Sequence, residues 1–125
     1  MKKLLILPLL LVFLAACQEK ENNLIFNGTS ENWSVQLTVS VINGSEKNEL
    51  ELKYRGNDLG SVESVNYYLE NTIRGTNFEE NNVSLNKNGI YTNEDLSSNS
   101  PITISKNTFI ISIDWNGNRE DIVLN

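Results

Sequence analysis

From Trp33 onward, apolar and polar residues alternate with a period of two. Trp33, Val35, Leu37, Val39 and Val41 are interleaved with Ser34, Gln36, Thr38 and Ser40, which predicts one long strand with a single buried face. Asn43-Gly44 marks a tight turn, and Leu50, Leu52 and Tyr54 then alternate with Glu49, Glu51, Lys53 and Arg55. The two runs predict an antiparallel hairpin whose returning strand has a charged outer face. A third strand carries Val65, Tyr67 and Leu69 on one side and Ser64, Asn66, Tyr68 and Glu70 on the other. Val62 breaks that parity, so the strand either starts near Ser64 or contains a bulge.

The pattern weakens between Asn71 and Ser100, where Phe78, Val83, Leu85, Ile90, Tyr91 and Leu96 are separated by Asn, Glu and Ser. Pro101 opens a further strand with Ile102 and Ile104. Phe109, Ile111, Ile113 and Trp115 form another, and because Ile110 makes its second face partly apolar as well, that strand is expected to be central in its sheet. Asn116-Gly117 is the clearest hairpin signal, returning through Arg119 and Glu120 to Ile122 and Leu124. No window shows apolar residues at three- and four-residue spacing, and twenty Asn favour turns over helices. With a short strand at Leu24 to Phe26, the count is seven or eight strands. This predicts an all-β chain, an antiparallel two-sheet sandwich over residues 24–125, with a barrel as the rival. The immunoglobulin-like description rests on strand number, since the Cys–Trp–Cys signature is absent.

Composition narrows the chemistry. The 125 residues hold 10 Lys+Arg, 16 Asp+Glu, one Cys and no His. A net charge of −6 opposes binding to nucleic acid, which draws its affinity from clustered cations that displace counterions. Without His, and with one Cys, the chain cannot supply a Ser-His-Asp triad, a Cys-His dyad, a His-rich metal site or an internal disulfide. No cofactor is expected.

The first residues supply an address. Lys2 and Lys3 precede an apolar run from Leu4 to Leu14, followed by Ala15, Ala16 and Cys17. The run is too short to span a bilayer, which takes about 20 residues, but it fits a secretory signal. Leu14, Ala15, Ala16 and Cys17 match a lipobox, in which the cysteine thiol is diacylated and the chain cut just before it. The expected organisation is therefore a signal peptide over 1–16, a lipidated Cys17 with a polar tether to residue 23, and the β domain beyond. The tether, Gln18 to Asn23, reaches about 20 Å when extended. Cleavage removes Lys2 and Lys3, leaving eight basic against sixteen acidic side chains, a charge of −8. A domain so acidic is repelled by anionic headgroups. The expected membrane partner is thus the bilayer itself, reached through the diacylglyceryl group on Cys17.

The segment Phe26-Asn27-Gly28-Thr29-Ser30-Glu31-Asn32-Trp33, with the ending Ile113-Asp114-Trp115-Asn116-Gly117 and Glu120 to Leu124, resembles small uncharacterised lipoproteins of bacilli that pair a lipobox with a compact β domain. The resemblance covers the whole mature chain. It implies an extracytoplasmic, lipid-anchored location and that fold, and it carries no activity.

The remaining constellations have plain readings. Ser84-Leu85-Asn86-Lys87 matches the S-x-x-K pattern of penicillin-recognising enzymes, yet it falls in a strand or loop of a chain far smaller than that fold. The carboxylate pairs Glu79-Glu80, Glu94-Asp95 and Glu120-Asp121 sit on adjacent residues that face opposite ways along a strand, so none is a ready-made hydrolytic dyad. Asp58 beside Asn57, and Glu94-Asp95 beside Asn93, offer oxygens suited to calcium without the loop spacing that would hold it. Tyr68, directed away from the face that buries Tyr67, is the one candidate aromatic platform for a ligand. The sequence therefore points to a non-enzymatic binding module that engages an envelope protein partner. Capture of a small ligand or saccharide, or a small carboxylate-based hydrolase, are the alternatives.

Overall fold

A computed structural model describes residues 22–42, 45–73, 75, 77–97 and 108–125. Eight strands run in chain order: β1 Asn22–Thr29, β2 Trp33–Ile42, β3 Ser45–Tyr54, β4 Val65–Asn71, β5 Asn77–Val83, β6 Ile90–Ser97, β7 Phe109–Trp115 and β8 Asn118–Leu124. They form two four-stranded antiparallel sheets, ordered β1-β2-β3-β6 and β5-β4-β7-β8. The chain crosses between sheets from β3 to β4, back from β5 to β6 and again from β6 to β7, while β3 neighbours β6 and β4 neighbours β7. That interlocking matches the B–E and C–F pairs of an immunoglobulin-like sandwich. Here β1 is an extra strand on the outside of the first sheet.

The alternation read from the sequence is the alternation of burial. Val35, Leu37, Val39, Leu50 and Leu52 from the first sheet meet Val65, Leu69, Ile111, Ile113 and Leu124 from the second, all at 2% exposure or less. Strand β7 is central, between β4 and β8. Asn116 and Gly117 have φ of 49° and 77°, the left-handed pair that a type I′ turn requires. The signal segment, Cys17, the Asn43-Gly44 turn and the strand expected at Pro101 to Ile104 lie outside the described residues.

One expectation needs adjusting, and two open positions are resolved. Strand β1 is longer than Leu24 to Phe26 and takes in Asn22 and Asn23, which pair with Val41 and Ser40. For Val62 the structure bears out the first alternative, a strand that starts near Ser64: β4 begins at Val65 and Val62 precedes it. It follows a 3-10 turn, Leu59–Ser61, and packs partly buried against the core, which explains its broken parity. Leu85 belongs to the loop after β5 and also packs against the core.

The sandwich is closed along one side. Asn27 and Asn125 exchange both backbone hydrogen bonds, each 3.0 Å, as a bonded pair of an antiparallel ladder does, and so join β1 to the end of β8. The close approach requires Gly28: a β-carbon there would lie 2.5 Å from the Val123 carbonyl oxygen and 2.6 Å from Ile122 Cγ2. Gly28→Ala is expected to push β1 off β8 and to lower stability by about 1–3 kcal/mol, the usual cost of overpacking. A urea midpoint equal to that of the parent would show that the strands do not approach this closely.

Candidate functional site

On the opposite side, the edges β5 and β6 are joined by side chains. Strand β5 places Phe78 and Glu80 inward and Glu79 outward, as adjacent strand residues must be. A bulge then follows, where the pairing with β4 shifts between Val65 and Tyr67 and Asn82 takes φ of 59°. The inward Glu80 carboxylate receives the Tyr67 hydroxyl at 2.5 Å, the Tyr91 hydroxyl at 2.8 Å and the Asn93 side-chain amide. Tyr67 comes from β4 in the same sheet, and Tyr91 and Asn93 come from β6 in the other. One carboxylate thus ties three strands across the seam.

Beside this cluster lies an open groove of about 530 Å³, lined by Glu80, Tyr91, Thr92, Asn93 and Glu94. Its electrostatics follow from the hydrogen bonds. Burial acts to raise the Glu80 carboxyl, but the three donors outweigh it and hold the group below the usual carboxylate range. Burial first, and the bond to Glu80 second, push the Tyr91 phenol up to about 12 and raise Tyr67 as well.

A second carboxylate does the same work at the closed seam. Glu120, on β8, accepts hydrogen bonds from the Ser30 hydroxyl, the Asn32 backbone amide at 3.0 Å and the Asn32 side chain at 2.6 Å. Here too the donors overcome the effect of burial and lower the carboxyl. A polar groove of about 370 Å³ adjoins it, with Tyr54, Trp115, Asn118 and Arg119 among its walls. The loop from Ser30 to Asn32 is thereby fastened to β8.

Both clusters are expected to contribute to the pH dependence of folding. A depressed carboxyl stabilises the fold above its unfolded value and loses that contribution as pH falls through the folded value. A raised phenol stabilises below its ordinary 10.0 and loses that contribution as pH climbs through about 12. Urea midpoints are expected to be flat from about pH 6 to pH 9, to fall below the ordinary carboxyl value of 4.5, and to fall again above 10. Glu80→Gln is expected to flatten the acid limb and to cost about 1 kcal/mol, kept small by solvent access. An unchanged acid limb would remove Glu80 from this role.

The sequence candidates are scattered. Tyr68 is on the outer face of the second sheet, half-buried between Glu79 and Ser112, and is not in either groove. Ser84 and Lys87 are exposed in the loop after β5, where the Asn86 side chain accepts from the Asn88 and Ile90 amides. Asp58 precedes the 3-10 turn, with its carbonyl accepting the Ser61 hydroxyl at 2.8 Å, while Glu94 is on β6. Among the described residues no three His, Cys, Asp or Glu side chains gather as a metal site. Sequence reasoning missed Tyr67, Tyr91, Asn93 and an inward Glu80. The period-two rule places Phe78 and Glu80 together, but the Asn82 bulge hides the strand to which they belong. The chain matches no family model, curated protein or solved structure.

Proposed function

We propose that the chain is a bacterial lipoprotein, held on the outer face of the cytoplasmic membrane by a diacylglyceryl group on Cys17, whose sandwich is a non-enzymatic binding module. The observation that carries the non-enzymatic part is the state of the two inward carboxylates. A carboxylate hydrolase needs a general acid whose pKa is raised, and both Glu80 and Glu120 are instead saturated with donors and lowered. Their chemistry is that of fasteners. The anchorage part rests on Leu14, Ala15, Ala16 and Cys17. With β1 starting at Asn22 beside Val41, the tether enters at the end holding the β2–β3 turn.

Saccharide or small-ligand capture is a second reading, favoured by the Tyr91 groove, where a ring edge lies beside carboxylate and amide groups. Both readings are tested by crosslinking from intact cells, with an equally anchored unrelated domain as control, and by titrating the labelled protein with envelope saccharides. Enrichment of one envelope protein supports the first reading. Shifts confined to Thr92 to Glu94 support the second. Turnover of an envelope substrate that disappears in Glu80→Gln overturns the binding-module reading altogether.

A further inference from the structure

The outer faces of the two sheets differ. That of the first carries hydroxyl and amide side chains such as Ser34, Gln36 and Thr38 beside the mixed charges Lys47, Glu49, Glu51 and Lys53, and its one exposed large apolar residue among the described residues, Ile25, is set alone opposite Thr38. The second has an apolar strip across three strands. Ile110 on β7 pairs directly with Val123 on β8. Tyr68 on β4 pairs with Ser112, two residues along from Ile110, a diagonal of about 7–8 Å that an aromatic ring spans. Val123 is 50% exposed.

The strip is bordered by carboxylates. Glu70 lies across from Ile110, Glu79 across from Tyr68, and Asp121 across from Ser112. Arg119, the cation among the described residues of this face, is turned to Asp114 at 3.3 Å and Asp121 at 3.9 Å. Apolar surface with an acidic border suits a partner that brings both apolar side chains and positive charge. A second copy of this chain, or an anionic lipid surface, would meet like charge.

We propose that the outer face of β4, β7 and β8 docks a cationic amphipathic peptide segment, its apolar side chains on Tyr68, Ile110 and Val123 and its Lys or Arg side chains on Glu70, Glu79 and Asp121. The inference rests on the binding-module reading and is independent of anchorage at Cys17. Such docking is sensitive to salt, because exposed charges are screened beyond about 10 Å at 0.1 M.

The test is an NMR titration of the protein as the cell processes it, in neutral detergent, with a peptide of alternating Lys and Leu. Alternating Glu and Leu, and plain oligolysine, are the controls. The Lys/Leu peptide is expected to shift amides within 66–70, 110–114 and 119–123, and to bind at least about tenfold more weakly to Val123→Lys and to Tyr68→Ser/Val123→Lys. Val123 is exposed, so the single variant keeps the fold even if the double variant does not. Equal binding of either control, no binding, shifts centred elsewhere, or self-association abolished by Val123→Lys would each overturn the proposal. Shifts centred on the β5–β6 groove would overturn it while leaving the binding-module reading standing. Turnover lost in Glu80→Gln would overturn the binding-module reading and the proposal with it.

Discussion

Trp33→Ala is expected to abolish cooperative folding at physiological temperature. Trp33 opens β2, is fully buried, and meets Tyr54 and Trp115 edge to face at centroid distances of 5.3 Å and 5.4 Å. The trio joins β2 and β3 of one sheet to β7 of the other at the end that carries the Asn116-Gly117 turn. Truncating a buried aromatic to Ala costs about 3–5 kcal/mol, against about 5–15 kcal/mol for a whole domain. Each ring pair adds about 0.5–1.5 kcal/mol beyond the area it buries. The indole Nε1 has no acceptor among the described residues, so the ring contributes through packing, and Trp33→Phe should retain most of the stability. Circular dichroism melts decide the matter. A Trp33→Ala protein that melts like the parent would show that the two sheets do not depend on this contact.

The second large effect is on location. On the lipid-anchored reading, Cys17→Ser removes the thiol that becomes acylated, and the protein should move wholly from the membrane fraction to an uncleaved or released form. Two acyl chains, at about 0.8 kcal/mol per buried methylene, anchor stably where one does so marginally. The check is metabolic labelling with an alkyne fatty acid, followed by fractionation. A Cys17→Ser protein that still carries label and sediments with membranes would sink the lipobox assignment. The sandwich itself should melt unchanged, since Cys17 precedes β1.

The parts of the fold that could be read directly are those where burial and alternation coincide without interruption. Strand β2 as far as Val39, and β4 and β7 throughout, bury every second residue, and the Asn116-Gly117 turn fixes the register of β8. Strands β5 and β6 were harder to read because each is an edge strand with one poorly covered face. Their inward positions are filled by Glu80 and Asn93 as well as by Phe78 and Leu96. A bulge in each pairing, at Asn82 and between Asn48 and Leu50, shifts the period. The same features hid the Glu80 cluster, because it exists only once β5 and β6 face each other across the seam. A carboxylate on a strand gives no sign in the sequence of which hydroxyls will reach it. Tyr67 and Tyr68 were correctly assigned to opposite faces, since adjacent strand residues have no other option.

The pairing of Asn27 with Asn125 links β1 to the residue after β8, 98 positions along the chain. Contacts of such long range form late, after shorter loops have closed. Strand β1 would therefore lack its β8 neighbour until the rest of the sandwich had formed. Removal of even a few residues at the end of β8 would leave β1 as an uncovered edge, open to proteases.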